Sequence, residues 1–193
     1  MRRRKKEEGK LEVLWGMYLI FFLVILLMVQ MQVNTFAVIS SVTEDALAAS
    51  NLASAVIDVR EYGQTGRIKV IDPDTAYELY REALRENLDL DENWESGSPG
   101  MIAGTVEVEE YTIYEVKDRD VIIYTRGKEG IFRIYTQTQA LGQIYTPDGK
   151  KVESAAIYSR ISFPVKGIFG ILQMTRKEKT VDIVDNKTGM DSF

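Results

Sequence analysis

Three carboxylates crowd one short stretch of this 193-residue chain, at Glu107, Glu109 and Glu110. Paired carboxylates can run acid–base chemistry of the kind glycosidases use, one donating a proton while the other accepts one or attacks. Here Glu107 and Glu109 alternate with Val106 and Val108, the pattern of a half-buried strand, which turns such glutamates toward solvent. A second acidic set, Asp89-x-Asp91-x-Asn93, has the alternate-position oxygens that open a calcium loop. The remainder of that pattern is missing, because Trp94 stands where the sharp turn needs glycine and Gly100 where a bidentate glutamate belongs. Asn186-Lys187-Thr188 has the form of a glycosylation acceptor, a match short enough for chance to supply. The chain holds no cysteine and no histidine, which excludes disulfides, the usual zinc ligand sets and every nucleophile–base scheme built on those side chains. It also lacks the Gly-x-Ser-x-Gly elbow, the phosphate-binding Gly-x-x-x-x-Gly-Lys loop and the Gly-x-Gly-x-x-Gly fingerprint. The expectation is a non-enzymatic protein with no catalytic residue, cofactor or metal.

The residues best placed for chemistry of another kind lie at the amino end: Gly9, Lys10 and Glu12. A cut after Gly9 would create a positive amine at Lys10. Glu12, at the edge of an apolar run, would then be placed to neutralise the amine of a neighbouring subunit, and such a pair in low dielectric also sets register. Left uncut, the same carboxylate is an interfacial charge in the headgroup zone, where its cost is small.

The element that must position Glu12 is the run Val13 to Val33, VLWGMYLIFFLVILLMVQMQV, which carries no charge. As a helix rising 1.5 Å per residue it covers roughly 30 Å, the thickness of a bilayer's hydrocarbon core. A secretory signal has a shorter apolar core and a prompt small-residue cleavage site, whereas the first such pattern here, Ala46 to Ala49, comes a dozen residues later. Arg2, Arg3, Arg4, Lys5 and Lys6 stand before the run, with Trp15 and Tyr18 at its near edge, so residues 1–12 are expected in the cytoplasm and residues 34–193 outside the cell membrane. Residues 1–33 carry six basic and three acidic side chains, so the rest of this chain of net charge −5 carries −8. An acidic domain repels nucleic acid and stays soluble beside an anionic membrane.

Beyond Asn34 no glycine or proline stops the helix before Gly63, and Val38, Val42, Ala46, Ala49, Ala53 and Val56 form an apolar stripe along a helix predicted over about 35–61. Ser41 and Glu44 have the spacing of a capping box, which would start a fresh helix there. Asp72 and Pro73 suit the N-cap and first position of a second helix, about 73–88, with Tyr77, Tyr80, Leu84 and Leu88 on its buried face. Residues 89–100 read as a loop. A sheet over about 103–184 follows, with strands near 106–108, 112–116, 120–125, 130–137, 141–145, 153–163 and 165–175 and an edge strand at Thr180 to Val184. Turns fall at Gly127 to Gly130, Pro147-Asp148-Gly149 and Pro164, and such short connections imply an antiparallel meander. The fold class expected is α+β, a transmembrane helix continuing into an amphipathic helix packed on an antiparallel sheet.

Basic leader, glycine, glutamate, long apolar helix and sheet-rich head together resemble the type IV pilin-like proteins, and within them the TadE-like pseudopilins of tight-adherence pilus systems. The likeness is carried by GKLEVLWGMYLIFFLVILLM, residues 9–28. It implies a pilin-like fold, prepilin-peptidase processing between Gly9 and Lys10, and an assembly role for Glu12. It further implies a minor structural place in a pilus or secretion filament, with the bilayer, pilus or secretion proteins and further copies of the N-terminal helix as partners. An uncut, single-pass extracytoplasmic binding or scaffolding protein is the competing expectation.

Overall fold

The computed structural model describes residues 2–97, 102–167 and 170–183, with side chains described from Glu12 onward. Asn186 to Thr188, Val184 and residues 98–100 of the expected loop lie outside the described residues, as do the side chains of Gly9 and Lys10. The architecture is α+β: a long N-terminal apolar helix and a five-stranded antiparallel sheet.

Helix α1 runs unbroken from Arg2 to Ser54. The expected capping box does not interrupt it; the Ser40 hydroxyl bonds to Glu44 Oε1 one turn on, at 3.2 Å. The helix stops at Ser54, short of the expected end near residue 61, because the next residues are claimed by another segment. Ile57 bridges Val70, the Asp58 N–H bonds to the Lys69 carbonyl at 2.8 Å and the Ile71 N–H to that of Val56 at 3.1 Å. Asp58 then caps a short helix α2, Val59–Thr65, by accepting the N–H groups of Arg60 and Glu61, and Gly66 closes it in the left-handed conformation. Helix α3, Pro73–Asn87, has the expected start, Asp72 accepting the Thr75 N–H at 2.9 Å with Pro73 in the first turn. It buries Tyr80 and Leu84, with Leu88 buried just past its end and Tyr77 half-buried.

The apolar stripe expected on α1 is not its buried face. Val38, Ala49, Ala53 and Val56 are exposed, Val42 is half-buried, and only Ala46 of that set is buried. The face against the sheet and α3 is Ile39, Thr43, Ala46, Leu47, Ser50, Asn51 and Ser54. Its hydroxyls are satisfied within the helix, Thr43 donating to the Ile39 carbonyl and Ser50 to that of Ala46, both at 2.7 Å. They therefore behave as small residues that let the helix lie close to its neighbours.

The strands are β1 (Glu107–Lys117), β2 (Asp120–Gly127), β3 (Phe132–Gln137), β4 (Ala156–Lys166) and β5 (Leu172–Asp182), ordered β3-β2-β1-β4-β5. Only the first three form a meander. Residues 138–155 then cross the sheet to reach β4 on the other side of β1, and this crossing buries apolar surface: Ala140 and Val152 pack on Tyr114, Val121, Ile123 and Tyr158. The strand expected at 141–145 is part of this crossing instead. Gly142 has φ 71°, and the Leu141 N–H bonds to the Arg119 carbonyl at 3.0 Å, so the chain turns where a strand would run straight. The opposite face carries Tyr111, Ile113, Ile157, Ile161 and Phe163 beneath α1 and α3. Thr180 closes no new edge strand; it belongs to β5, which continues to Asp182.

Pro164 lies within β4, paired with Met174, and does not mark a turn. The Ala103 N–H bonds to its carbonyl at 2.8 Å, and a Cβ on Gly104 would stand 2.9 Å from its ring carbon Cγ. Since a proline ring has little freedom to withdraw, Gly104→Ala is expected to cost about 1–3 kcal/mol, the usual scale for an overpacked site. Urea unfolding of the full-length chain in detergent, followed by near-UV circular dichroism, checks this.

Candidate functional site

The region that sequence singles out for function is α1 itself, and the structure divides it into two parts of different character. Every described side chain from Glu12 to Met31 is exposed, including Trp15, Phe21, Phe22, Leu27 and Met28. This stretch of one continuous helix, apolar on all sides and uncovered by the described residues, is long and apolar enough to cross a membrane. Glu12 sits exposed at its head, and the Trp15 and Tyr18 rings meet edge to face at 6.3 Å. Gln32 is the first partly covered side chain, and its Nε2 donates to the Lys166 carbonyl at 3.2 Å. From Ile39 onward the helix becomes core.

The docked part is held by directed polar contacts. Asn51 Nδ2 donates to the Lys179 carbonyl at 2.9 Å and lies 3.5 Å from that of Ile157, reaching β5 and β4 from one buried side chain. The Tyr111 hydroxyl donates to Ser54 Oγ at 2.9 Å. Lys177 on β5 donates to Ser40 and, at 2.8 Å, to Glu44 Oε1, so hydrogen bonding to this ammonium holds the Glu44 carboxyl below the ordinary range. No periodicity argument reaches Asn51, because a polar residue on a helix reads as solvent-facing until its partner strands are known.

The three carboxylates singled out in the sequence come together; Glu107 is solvated as strand alternation predicts, but Glu109 is not. A bulge in the β1–β4 register between Val108 and Glu110 brings Glu109 and Glu110 to one side. Glu109 is only 10% exposed and is surrounded by Arg176 at 3.2 Å, Arg160 at 3.3 Å and Lys128 at 4.0 Å. Glu110 pairs with Arg160 at 2.8 Å, and Glu107, which is exposed, with Lys128 at 2.6 Å. Burial by itself would raise the Glu109 pKa, but the Ser162 hydroxyl and Arg176 outweigh it and hold the carboxyl low. A general acid needs the opposite, a carboxyl that keeps its proton near neutrality. Asp91 likewise is turned inward on its own loop, accepting the N–H groups of Asn93 at 2.8 Å and Glu95 at 3.0 Å, and among the described residues no cluster of three ligating side chains is poised for a metal.

Two carboxylates have structural roles that the sequence does not show, Asp148 at the surface and Glu115 in the interior. Asp148, in the expected turn at Pro147-Asp148-Gly149, accepts the Thr180 N–H at 2.9 Å and its hydroxyl at 2.6 Å, tying the crossing segment to the outer edge of β5. Burial opposes its charge, yet the hydroxyls of Thr146 and Thr180 lower its pKa overall. Glu115 is fully buried under α2, where its Oε1 accepts the Val70 N–H at 2.8 Å and Arg67 lies 3.6 Å from its other oxygen. Here burial prevails and the pKa is raised despite those partners. A cleft of about 550 Å³ opens beside it, lined by Tyr62, Arg67, Lys117, Leu141 and Glu153.

No family model matches the chain, and neither a curated protein nor a solved structure shows significant similarity to it.

The two kinds of carboxylate contribute to stability with opposite signs. Glu44, Glu109 and Asp148 have lowered folded-state values, so what they contribute is complete above the ordinary carboxylate range and is lost as pH falls through those values. Glu115 has a raised value, so its contribution is complete below 4.5 and is lost as pH rises through the folded-state value. Glu115→Gln keeps an acceptor for Val70 without the charge. Its gain in melting temperature over the parent chain is expected to be larger at pH 7 than at pH 4; an equal difference at both would show that the buried carboxylate costs nothing when ionised.

Proposed function

We propose that this chain is a non-enzymatic, TadE-like pseudopilin component of a tight-adherence pilus or secretion filament. In this reading it is held in the cell membrane by α1, with the basic amino end in the cytoplasm and the sheet domain outside. The observation that supports it most is the continuity of α1: one helix, without a cap or a kink, is bare and apolar from Glu12 to Met31 and then becomes the core helix of a folded domain. A flexible tether would suffice to anchor an enzyme or a receptor. A rigid helix shared by membrane and domain transmits position, which is what a subunit drawn from a membrane into a filament requires. The exposed side chains Val38, Ala49 and Ala53 give that helix apolar surface for neighbouring copies or other filament proteins.

In this function Gly9 and Lys10 flank the processing site and Glu12 is the assembly residue. The bilayer and the pilus or secretion proteins are its partners, with no nucleic acid and no cofactor. One feature favours the competing reading of an uncut membrane-anchored scaffolding protein. Cleavage after Gly9 would leave the new amine and the Lys10 ammonium on one residue, two positive charges against the single carboxylate of Glu12.

Co-expression with a prepilin peptidase, followed by intact-mass measurement of membrane-extracted protein, separates the two. The pseudopilin reading expects loss of residues 1–9 and a chain beginning at Lys10; an intact leader in the presence of active peptidase sinks the processing claim. Glu12→Ala is then expected to leave membrane insertion intact while abolishing co-purification with the filament machinery, whereas a scaffold would be indifferent to that change.

A further inference from the structure

The β4–β5 hairpin is longer than the sheet it belongs to. The last β1–β4 pair is Glu107 with Ser162, but β4 and β5 go on through Phe163–Thr175, Pro164–Met174, Val165–Gln173 and Lys166–Leu172. At 3.3 Å per residue those pairs carry the hairpin roughly 13 Å past the start of β1. The extension follows α1 toward its amino end. Asn51 meets β5 at Lys179, Glu44 meets it at Lys177, and Gln32 meets the last residue of β4, Lys166. The step from Asn51 to Gln32 is roughly 28 Å along a helix, and that from Lys179 to Leu172 roughly 23 Å along a strand, so hairpin and helix descend together. Gln32 belongs to the charge-free run Val13–Val33. The end of the hairpin therefore stands level with the domain-side end of the span.

The side chains at that level are the wrong ones for water. Ile171 is 69% exposed, Leu172 58% and Met174 63%, and no charged residue occurs between Lys166 and Arg176. Among its described residues the turn bonds internally, the Gly167 N–H donating to the Ile171 carbonyl at 2.8 Å and the Gly170 N–H to that of Gly167 at 3.1 Å, while the open strand edges suit it to the hydrated headgroup boundary and not to the hydrocarbon. Gly170 supplies the left-handed φ of 77° that this closure needs. Lys166 and Arg176, both exposed, bound the apolar stretch with long basic side chains that can reach lipid phosphates, Arg176 through the guanidinium nitrogens left outward when its Nε bonds Glu109.

We propose that the end of the β4–β5 hairpin is a second membrane contact. Ile171, Leu172 and Met174 enter the headgroup-to-acyl boundary of the leaflet on the domain's side, and Lys166 and Arg176 hold the phosphates above them. This rests on α1 being a membrane span. The occupant is lipid because the hairpin's apolar end continues a surface that is already in the bilayer, meeting it at Gln32. Its consequence is orientational: two contacts fix the tilt of the domain on the membrane, where one helix would let it swing.

The cysteine-free chain permits a direct test. The full-length protein carrying Leu172→Cys, Met174→Cys, Ile25→Cys or Lys117→Cys is spin-labelled and reconstituted in phosphatidylcholine–phosphatidylglycerol vesicles. Collision with dissolved oxygen is then compared with collision with a water-soluble nickel chelate. The labels at positions 172 and 174 are expected at a shallow depth below the phosphates, the label at 25 deep, and the label at 117, at the opposite end of the sheet, in water. Adding Leu172→Asp to Met174→Cys should raise nickel accessibility of the second label several-fold. If labels 172 and 174 are as open to nickel as label 117 while label 25 is deep, the hairpin contact is wrong and the anchor stands. Should label 25 itself be aqueous, anchor and contact fall together. Shielding of 172 and 174 from both reagents would overturn the lipid contact in favour of a second protein copy on the hairpin.

Discussion

Asn51 is where the two halves of this protein are joined, because one buried amide holds α1 to β4 and β5 at once. A backbone carbonyl contributes little net stability when paired, on the order of 1 kcal/mol, but losing its partner in a buried site costs the full desolvation of the group. The amide therefore fixes helix rotation more than it strengthens the helix. With Asn51 facing the strands, Leu47 and Thr43 fall beneath it on the same side, Glu44 comes to Lys177, and the rotation is carried down to Gln32. Since α1 has no break, this also fixes which side of the apolar segment faces the hairpin.

The sheet is asymmetric for the same reason. The face beneath α1 and α3 is built of aromatic and branched residues, with Tyr80 and Tyr111 rings 4.9 Å apart, Tyr77 against both, and Arg126 lying 4.2 Å from the Tyr77 ring centre. The other face is covered only at one end, by residues 138–155; at the other end Arg160 gathers Glu109, Glu110 and, at 3.9 Å, Glu178. Among the described residues no element covers that end, and the cations around Glu109 offset the desolvation that its near-burial imposes. The acidic surplus of the domain is thus partly neutralised where it is densest.

What the sequence made legible were features written in local chemistry. The charge-free run from Val13, the Asp72-Pro73 start of α3 and its Tyr80–Leu84–Leu88 face, and the β2–β3 hairpin around Gly127 to Gly130 can each be read without knowing what lies across the fold. The features that were not legible depend on partners distant in the chain. The end of α1 is set by Val70, thirteen residues beyond its bridge partner Ile57. Its buried face is not legible because Thr43, Ser50 and Asn51 count as polar, while the first two are satisfied by the helix and the Asn51 Nδ2 is bound by a strand more than a hundred residues away. Glu109 reads as a surface glutamate because strand alternation reports which side a residue faces and says nothing of what covers that side.

The misread stripe bears on how α1 can serve a filament. With Val38, Ala49 and Ala53 in the core, α1 would turn Thr43, Ser50 and Asn51 outward together with Ile39 and Leu47. The observed rotation hides those hydroxyl and amide groups with Ile39, Ala46 and Leu47 against the domain and leaves Val38, Ala49, Leu52 and Ala53 exposed. Small side chains on a helix let another helix approach closely, in water or in lipid. Asn51 thus locks the helix to its own domain through a directed bond, and under the proposed filament role the exposed apolar side chains would be available to neighbouring subunits. That division of labour is what the pseudopilin reading needs, and it follows from the rotation that Asn51 sets.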